Sequence, residues 1–298
     1  MPRISDMIGV TDHNDRLPQL LMLNVGHAVH NGDWNFSDVS SPFTRIYYVT
    51  GGEAQIMQGS SLHSLTPGNM YIVPPFVKHT NICSGFFSHY YIHIYEDNTD
   101  GSGLIDNLDF PFSISGTQHD RVLFETICDN NESMRLKCSD PRIYDNKTSL
   151  IECVRLNRER PFYDRMESAG IIYQLLSRFV TAAKPRYASA DKRIVQALRY
   201  IGENMYGNVT LEDIAREAYM SRDHFIKVFN RDVGCSPIQY IIRQKMMKAQ
   251  LMLASSDSPI KDIALFLGYD DFSYFSQLFK RHVGKTPLQY RNSFNHNR

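Results

Sequence analysis

Eleven histidines and seventeen tyrosines are the side chains of this 298-residue chain best suited to hydrogen-bond and proton chemistry. Their spacing narrows what that chemistry can be. In His89-Tyr90-Tyr91-Ile92-His93-Ile94-Tyr95 the two-residue period of a strand puts His89, Tyr91, His93 and Tyr95 on one face and Ile92 and Ile94 on the other. His27 and His30 stand three apart, the wrong spacing for two ligands on one strand face. No phosphate-cradling loop, Gly-x-Ser-x-Gly or dinucleotide fingerprint occurs. The five cysteines, Cys83, Cys128, Cys138, Cys153 and Cys235, contain no Cys-x-x-Cys pair. Buried or idle thiols are expected, not a disulfide framework or a zinc ribbon. The chain therefore carries no recognisable catalytic constellation, and no enzyme activity is expected.

A second set of residues repeats. Leu211-Glu-Asp213-Ile214-Ala215 matches Ile260-Lys-Asp262-Ile263-Ala264 at an offset of 49, and Val233-Gly234-Cys-Ser236-Pro237 matches Val283-Gly284-Lys-Thr286-Pro287 at an offset of 50. Two copies of one supersecondary unit follow. Each reads as helix, short turn, helix. In the first, Thr210 and Asp213 form a capping box and Ser221 caps a second helix reaching about Asn230. In the second, Ser258 caps with Pro259 in the first helical position, Gly268 turns the chain and Asp271 caps the next helix.

At about 100° per residue, Phe225, Val228 and Phe229 form one arc of the first unit's second helix. Arg222, Asp223, Ile226, Lys227 and Asn230 form the other. Phe275, Leu278 and Phe279 match the apolar arc in the second unit, opposite Ser273, Ser276, Gln277 and Lys280. Two outward helices, each of a size to enter a major groove, on a basic domain suit double-stranded DNA. Gln277 can bond adenine, Lys227 a guanine or phosphate, and Ile226 a thymine methyl. Asp223 can accept from a cytosine amino group or support its helix N-terminus. Arg222, Lys280 and Arg281 would hold the backbone. The bland alternative is a small helical bundle with solvated charges outside.

These elements need a frame. Apolar residues make up 42 % and charged residues 21 %, an ordinary globular mix, and the length suggests two domains. The net charge of zero hides an asymmetry. Residues 1–190 hold sixteen Lys and Arg against twenty-one Asp and Glu, a net of −5, and residues 191–298 hold sixteen against eleven, a net of +5. A basic third fits nucleic acid. No apolar run approaches the ~20 residues of a membrane span. The polar N-terminus lacks the apolar stretch of a secretory signal, so a cytoplasmic protein is expected. Short runs punctuated by Gly and Pro between 17 and 95 predict strands at Leu20–Val25, Arg45–Val49, Ala54–Met57, Asn69–Val73 and His89–Tyr95. Helical spacing predicts helices over 144–158 and 163–182, joined near Glu159–Pro161.

Residues 191–295 resemble the DNA-binding domain of AraC/XylS-type transcription regulators. The run Ile263-Ala264, Leu267-Gly268-Tyr269, Phe272 through Arg281, Gly284-Lys285-Thr286-Pro287 and Tyr290-Arg291 carries the resemblance. The first copy fits apart from Tyr219, where many members have glycine. The resemblance implies two helix-turn-helix units joined by a long helix, about Ser236 to Leu253, with Asp223, Ile226, Lys227, Ser273, Ser276 and Gln277 facing bases. Arg45 to Ala54 and Pro67 to His79 resemble the cupin-like sensor domain of many members. That implies that Tyr91 and His93 point into a barrel, where with Tyr47 and His79 they would line an effector pocket suited to a sugar or another hydroxylated molecule. The alternative is a packed barrel whose rings satisfy one another. Trp34 reads as core. A cupin metal site needs His-x-His, a carboxylate and a later histidine. Only His79 has a counterpart, so no metal or other cofactor is expected.

The expected architecture is α+β and multidomain. Residues 1–183 form a cupin-like (double-stranded β-helix) barrel over about 17–115 with accessory helices over about 117–183. Residues 184–190 are a linker, and 191–298 an all-α module with two helix-turn-helix units. The expected function is effector-controlled transcription regulation, with activation the commoner outcome in the resembled family. DNA, a small effector, RNA polymerase and a second copy of the chain are the expected partners. The helices at 144–182 are the candidate dimer surface, although their apolar stripe could equally pack on the barrel. Two rivals stay open: a cupin enzyme with a helical appendage, and a DNA-binding protein that answers to no effector.

Overall fold

The structure, a computed structural model, describes residues 17–96, 104–145, 147–186, 191–207, 209–256 and 258–293. The N-terminal reading of residues 1–16, the end of the linker at 187–190 and the C-terminal residues 294–298 lie outside them.

The first part is built from antiparallel strands: β1 (Leu20–Asn31), β2 (Phe36–Val39), β3 (Thr44–Gly52), β4 (Ala54–Gln58), β5 (Ser61–Leu65), β6 (Asn69–Val73), β7 (His79–Ile82), β8 (Phe86–Glu96), β9 (Leu108–Asp109) and β10 (Ser113–Ser115). A five-stranded sheet runs β1-β8-β3-β6-β10 and a four-stranded sheet β2-β7-β4-β5. Residues of both sheets meet in one core that includes Trp34, Tyr47, Ile56, Leu65, Tyr71 and Tyr91. Trp34 is core, as expected. The register sets Tyr47 beside Tyr91 and Tyr71, and Arg45 beside His93 and Val73.

The alternate residues of the larger sheet face the other way. Ile46, Ile72, Ile92 and Ile94 pack under α2 (Gln118–Asp129) and α5 (Phe162–Ala182). Helix α5 buries Ser168, Ile171, Ile172, Leu175, Leu176 and Phe179, one stripe at helical spacing. That stripe covers the sheet, so among the described residues the candidate dimer surface keeps the exposed Phe162, Tyr163 and Met166 at the start of α5. Helix α1 (Leu104–Asn107) follows β8, α3 (Pro141–Tyr144) leads into α4 (Lys147–Glu159), and α4 packs on β1. Beyond α5, β11 (Lys184–Pro185) pairs with β9, so the first residues of the expected linker are hydrogen-bonded to the barrel domain.

Every element described after Asp191 is a helix: α6 (Lys192–Asn204), α7 (Leu211–Glu217), α8 (Arg222–Val233), α9 (Pro237–Ser255), α10 (Ile260–Phe266), α11 (Phe272–Val283) and α12 (Pro287–Ser293). Thr210 and Asp213 form their capping box, and Asp271 accepts from the amides of Ser273 and Tyr274 at 2.7 and 3.1 Å. Two expected caps differ. Ser221 sits at the N-cap of α8 without a side-chain bond. Pro259, not Ser258, is the N-cap of α10, and the Ser258 carbonyl accepts from Arg291 at 2.7 Å. Proline fixes its own φ and has no amide to satisfy, so α10 starts without a hydroxyl cap.

Helices α6 to α8 close one core around Phe225 and Phe229 with Tyr240 of α9. Helices α10 to α12 close a second, around Phe275 and Phe279, with Met246, Ala249 and Leu253 of α9 and with Leu23, Phe43 and Leu150 of the barrel domain. The two turns match. Tyr219 and Gly268 take φ of 52° and 76°, and each donates its amide to the carbonyl three residues back at 2.9 Å. A tyrosine in the left-handed region costs about 1–2 kcal/mol, while glycine costs about 0.5–1 kcal/mol in lost chain freedom. Tyr219→Gly should therefore raise stability by about 0.5–1 kcal/mol in urea denaturation. A loss would show that the Tyr219 ring supports the fold.

Candidate DNA interface and barrel interior

The outward arc of α8 presents Arg222, Asp223 and Lys227 to solvent, with Ile226 half-buried among them. Arg222 reaches Glu212 of α7 at 3.2 Å, a surface pair that an entering phosphate can displace at little cost. The arc of α11 presents Ser273, Gln277 and Lys280, with Arg281 beside them. Ser276 is half-buried. Its hydroxyl lies out of solvent with no partner, so Ser273 and Gln277 are the neutral polar groups this helix offers. Phe225, Val228 and Phe229 and their counterparts Phe275, Leu278 and Phe279 are buried, which fixes the two helices in the same attitude on their own cores. Apart from Ser276, whose hydroxyl is turned out of solvent, the side chains expected to face bases project from two equivalent helices. Lys280, Arg281 and His282 fill the last turn of α11, where cations complement the helix dipole.

All four residues expected to line the barrel are inside it. Tyr47, His79, Tyr91 and His93 are each at most 5 % exposed. The Tyr91 hydroxyl accepts from the Leu136 amide at 2.8 Å, and burial lifts its pKa to about 12. Burial likewise pushes the Tyr47 phenol up. His93 Nδ1 donates to Asn24 Oδ1 at 3.1 Å, and its ring lies 4.9 Å from Phe43 and 5.4 Å from Tyr91. His79 Nδ1 donates to the Val77 carbonyl at 2.9 Å, while its Nε2 is buried without a partner, as are His89 Nδ1 and Asn81 Oδ1. Trp34, Tyr47, Phe87 and His89 stack or meet edge-on, so much of the interior is ring against ring. A space of about 480 Å³ lies between the domains, lined by Leu20, Phe43, Tyr95, Leu150, Val154 and Leu251 among others.

Sequence reasoning missed a charged group in this interior. Arg45 alternates with Tyr47 onto the inward face of β3 and is 1 % exposed. Its Nη2 donates to Ser41 Oγ and lies 3.5 Å from both the Tyr144 hydroxyl and Asp145 Oδ2. Its ring neighbours are Phe43, 4.7 Å from the guanidinium carbon, and Tyr144 at 5.9 Å. Alternation along Arg45-Ile46-Tyr47-Tyr48 was the available signal. Among the described residues no cluster of three His, Cys, Asp or Glu could hold a metal ion.

The matches to known proteins follow this division. The helix-turn-helix domain family matches residues 214–293. The lactose operon transcription activator of Staphylococcus xylosus is 29 % identical over 127 residues, 43 % of this chain and 46 % of that protein. The regulatory protein PocR of Salmonella typhimurium is 36 % identical over 107 residues, 36 % of this chain and 35 % of that one. The chain thus spans less than half the length of these two relatives. YisR of Bacillus subtilis, an uncharacterized HTH-type transcriptional regulator, is 24 % identical over 270 residues, 87 % of this chain and 89 % of its own. The last third of the molecule thus holds two helix-turn-helix units, and the family match covers most of it. Relatives such as these bear the names of transcription regulators. Among the described residues no helix is long and apolar enough to cross a membrane.

Gln277→Ala should relax base preference at one position and cost about 1–3 kcal/mol on the best site. Lys280→Ala should weaken binding to every sequence alike and flatten its salt dependence. Binding titrations on matched and shuffled duplexes separate the two. A second expectation concerns pH. Burial, with the charge of Arg45 or of neighbouring histidines, holds His89 and His93 well below the ordinary range and His79 down to about 4. These rings are neutral in the fold but take up protons near pH 6.5 once unfolded. Their contribution is complete above that pH and is lost as pH falls toward about 4. The urea midpoint of barrel unfolding should drop between about pH 7.5 and about pH 5. An unchanged midpoint would remove these imidazoles from the stability balance.

Proposed function

We propose that this chain is a sequence-specific transcription regulator, an activator, whose affinity or posture on DNA is set by a small hydroxylated effector held in the barrel. The observation that carries the DNA reading is the duplicated unit. Two helices with the same buried arc expose different polar side chains, which is what reading two unlike base sets requires. The effector reading rests on Tyr47, His79, Tyr91 and His93 converging in the barrel and on the unpartnered His79 Nε2, His89 Nδ1 and Asn81 Oδ1 there. Buried polar atoms in native proteins nearly all have partners, and hydroxyl groups are suitable ones. Relatives named for lactose and arabinose operons are in keeping with a carbohydrate.

An effector would act by favouring one of two arrangements of barrel and α9. In this reading the chain works in the cytoplasm as a homodimer and touches RNA polymerase from its DNA-bound position. The exposed Phe162, Tyr163 and Met166 at the start of α5 are the residual apolar edge for a second copy. The rings that fill the barrel favour a second reading, a regulator that answers to no effector.

Selection of bound fragments from random duplex DNA by the full chain at physiological salt is the test. Enrichment of a motif with two contacts about 34 Å apart is the expected result. Weak binding that vanishes as salt rises, with no motif, would overturn the DNA reading. A motif whose affinity no sugar alters would favour the effector-independent regulator.

A further inference from the structure

Arg45 is a cation sealed inside the barrel, and its compensation is incomplete. A buried charge is tolerated when it is paired at hydrogen-bond distance and its partner's remaining lone pairs are satisfied. Arg45 has one carboxylate near it among the described residues, Asp145, and the fit is loose. The nearer oxygen, Oδ2, is 3.5 Å from Nη2, against about 2.7–2.9 Å for a charge-assisted bond. Ser41 Oγ stands as a second link, bonded both to Nη2 and to Oδ2. The other oxygen, Asp145 Oδ1, is buried with no partner, on a side chain only 8 % exposed. Burial lifts the Asp145 carboxyl to about 7 in spite of the guanidinium facing it, so this acid is a weak anion for its cation.

The surroundings of the guanidinium describe a recognition site. The rings of Phe43 and Tyr144 flank it. His93 is the cross-strand neighbour of Arg45, and burial together with the guanidinium's charge keeps both it and His79 neutral. His79 Nε2 has no partner. An arginine fork matches a planar carboxylate through two parallel bonds. Imidazoles that cannot take up a proton suit hydroxyls as neighbours.

Asp145 is not carried by the barrel. It follows Tyr144 at the junction of α3 and α4, and α4 then packs on β1 and on the long helix α9. We infer that Arg45 is the anchor for a small hydroxylated carboxylate, a sugar acid, and that Asp145 is an internal stand-in which this ligand displaces. The inference rests on the barrel being the effector site and names the effector's chemistry. Displacement frees the α3–α4 junction, and α4 hands the change to α9, between the two helix-turn-helix units.

Thermal unfolding of the full chain at constant ionic strength tests this, with galacturonate, its neutral counterpart galactose, acetate and inorganic phosphate as probes. Galacturonate should raise the midpoint of the wild type and galactose should not. Asp145→Ala should lose stability that acetate restores, and should respond to galacturonate at about tenfold lower concentration, because the internal competitor is gone. Asp145→Asn, which keeps the shape and removes the charge, serves if the alanine variant does not fold. Arg45→Gln added to Asp145→Ala should abolish both responses. Equal responses to galactose and galacturonate would leave the barrel as an effector site and overturn the role of Arg45. Rescue by phosphate as good as by acetate would overturn the carboxylate class. No response in either Asp145 variant would overturn the inference outright.

Discussion

Phe43 stands between the barrel interior and the interdomain core, and the arrangement of the molecule turns on it. On one side its ring lies 4.9 Å from His93 and beneath the Arg45 guanidinium, at the end of the barrel interior. On the other it packs in the cluster that holds Met246, Ala249 and Leu253 of α9 together with the second helix-turn-helix unit. Close-packed interiors do not deform continuously. A change in what surrounds Arg45 must therefore be accommodated by Phe43 or by the elements beside it, and either choice reaches α9.

The barrel can offer an interior to chemistry because its larger sheet is buried on both faces. One set of alternate residues, Ile46, Ile72, Ile92 and Ile94, packs in a core with helices α2 and α5. The other set is thereby free to be Arg45, Tyr47, Tyr71, Tyr91 and His93. A sheet with a single buried face could not place so many polar side chains inward without losing its core. The cost is a group of imidazoles and a guanidinium kept out of water, and that cost is visible in the downward shift of three histidines.

Much of the helical module was legible in the sequence because its signals are local. Capping boxes, the Gly268 turn and the apolar arcs around Phe225 and Phe275 each depend on residues within a few positions. In the barrel, legibility followed hydrophobic alternation. Asn69–Val73 was read to the residue. Strand β1 continues past Val25 to Asn31 because its pairing with β8 persists through polar Gly26, His27 and His30, which no local pattern announces. Ser61–Leu65 and His79–Ile82 are too polar to read as strands and exist because neighbours pair with them. The candidate DNA-facing residues followed from helix geometry. The pairing of Arg45 with Asp145 joins positions a hundred residues apart, and only the folded chain brings them together.

The two helix-turn-helix units do not share a fate. The first closes a core of its own, from Ile194 to Tyr240. The second is welded through Phe43, Leu23 and Leu150 to the barrel. Cooperative opening follows contiguous packing. Helix α8 should thus fray with its own small bundle, while α11 opens only when the interface with the barrel does. On the proposed DNA reading, the chain would carry one lightly held reading helix and one firmly held, and the firm one would set the register to which the other anneals.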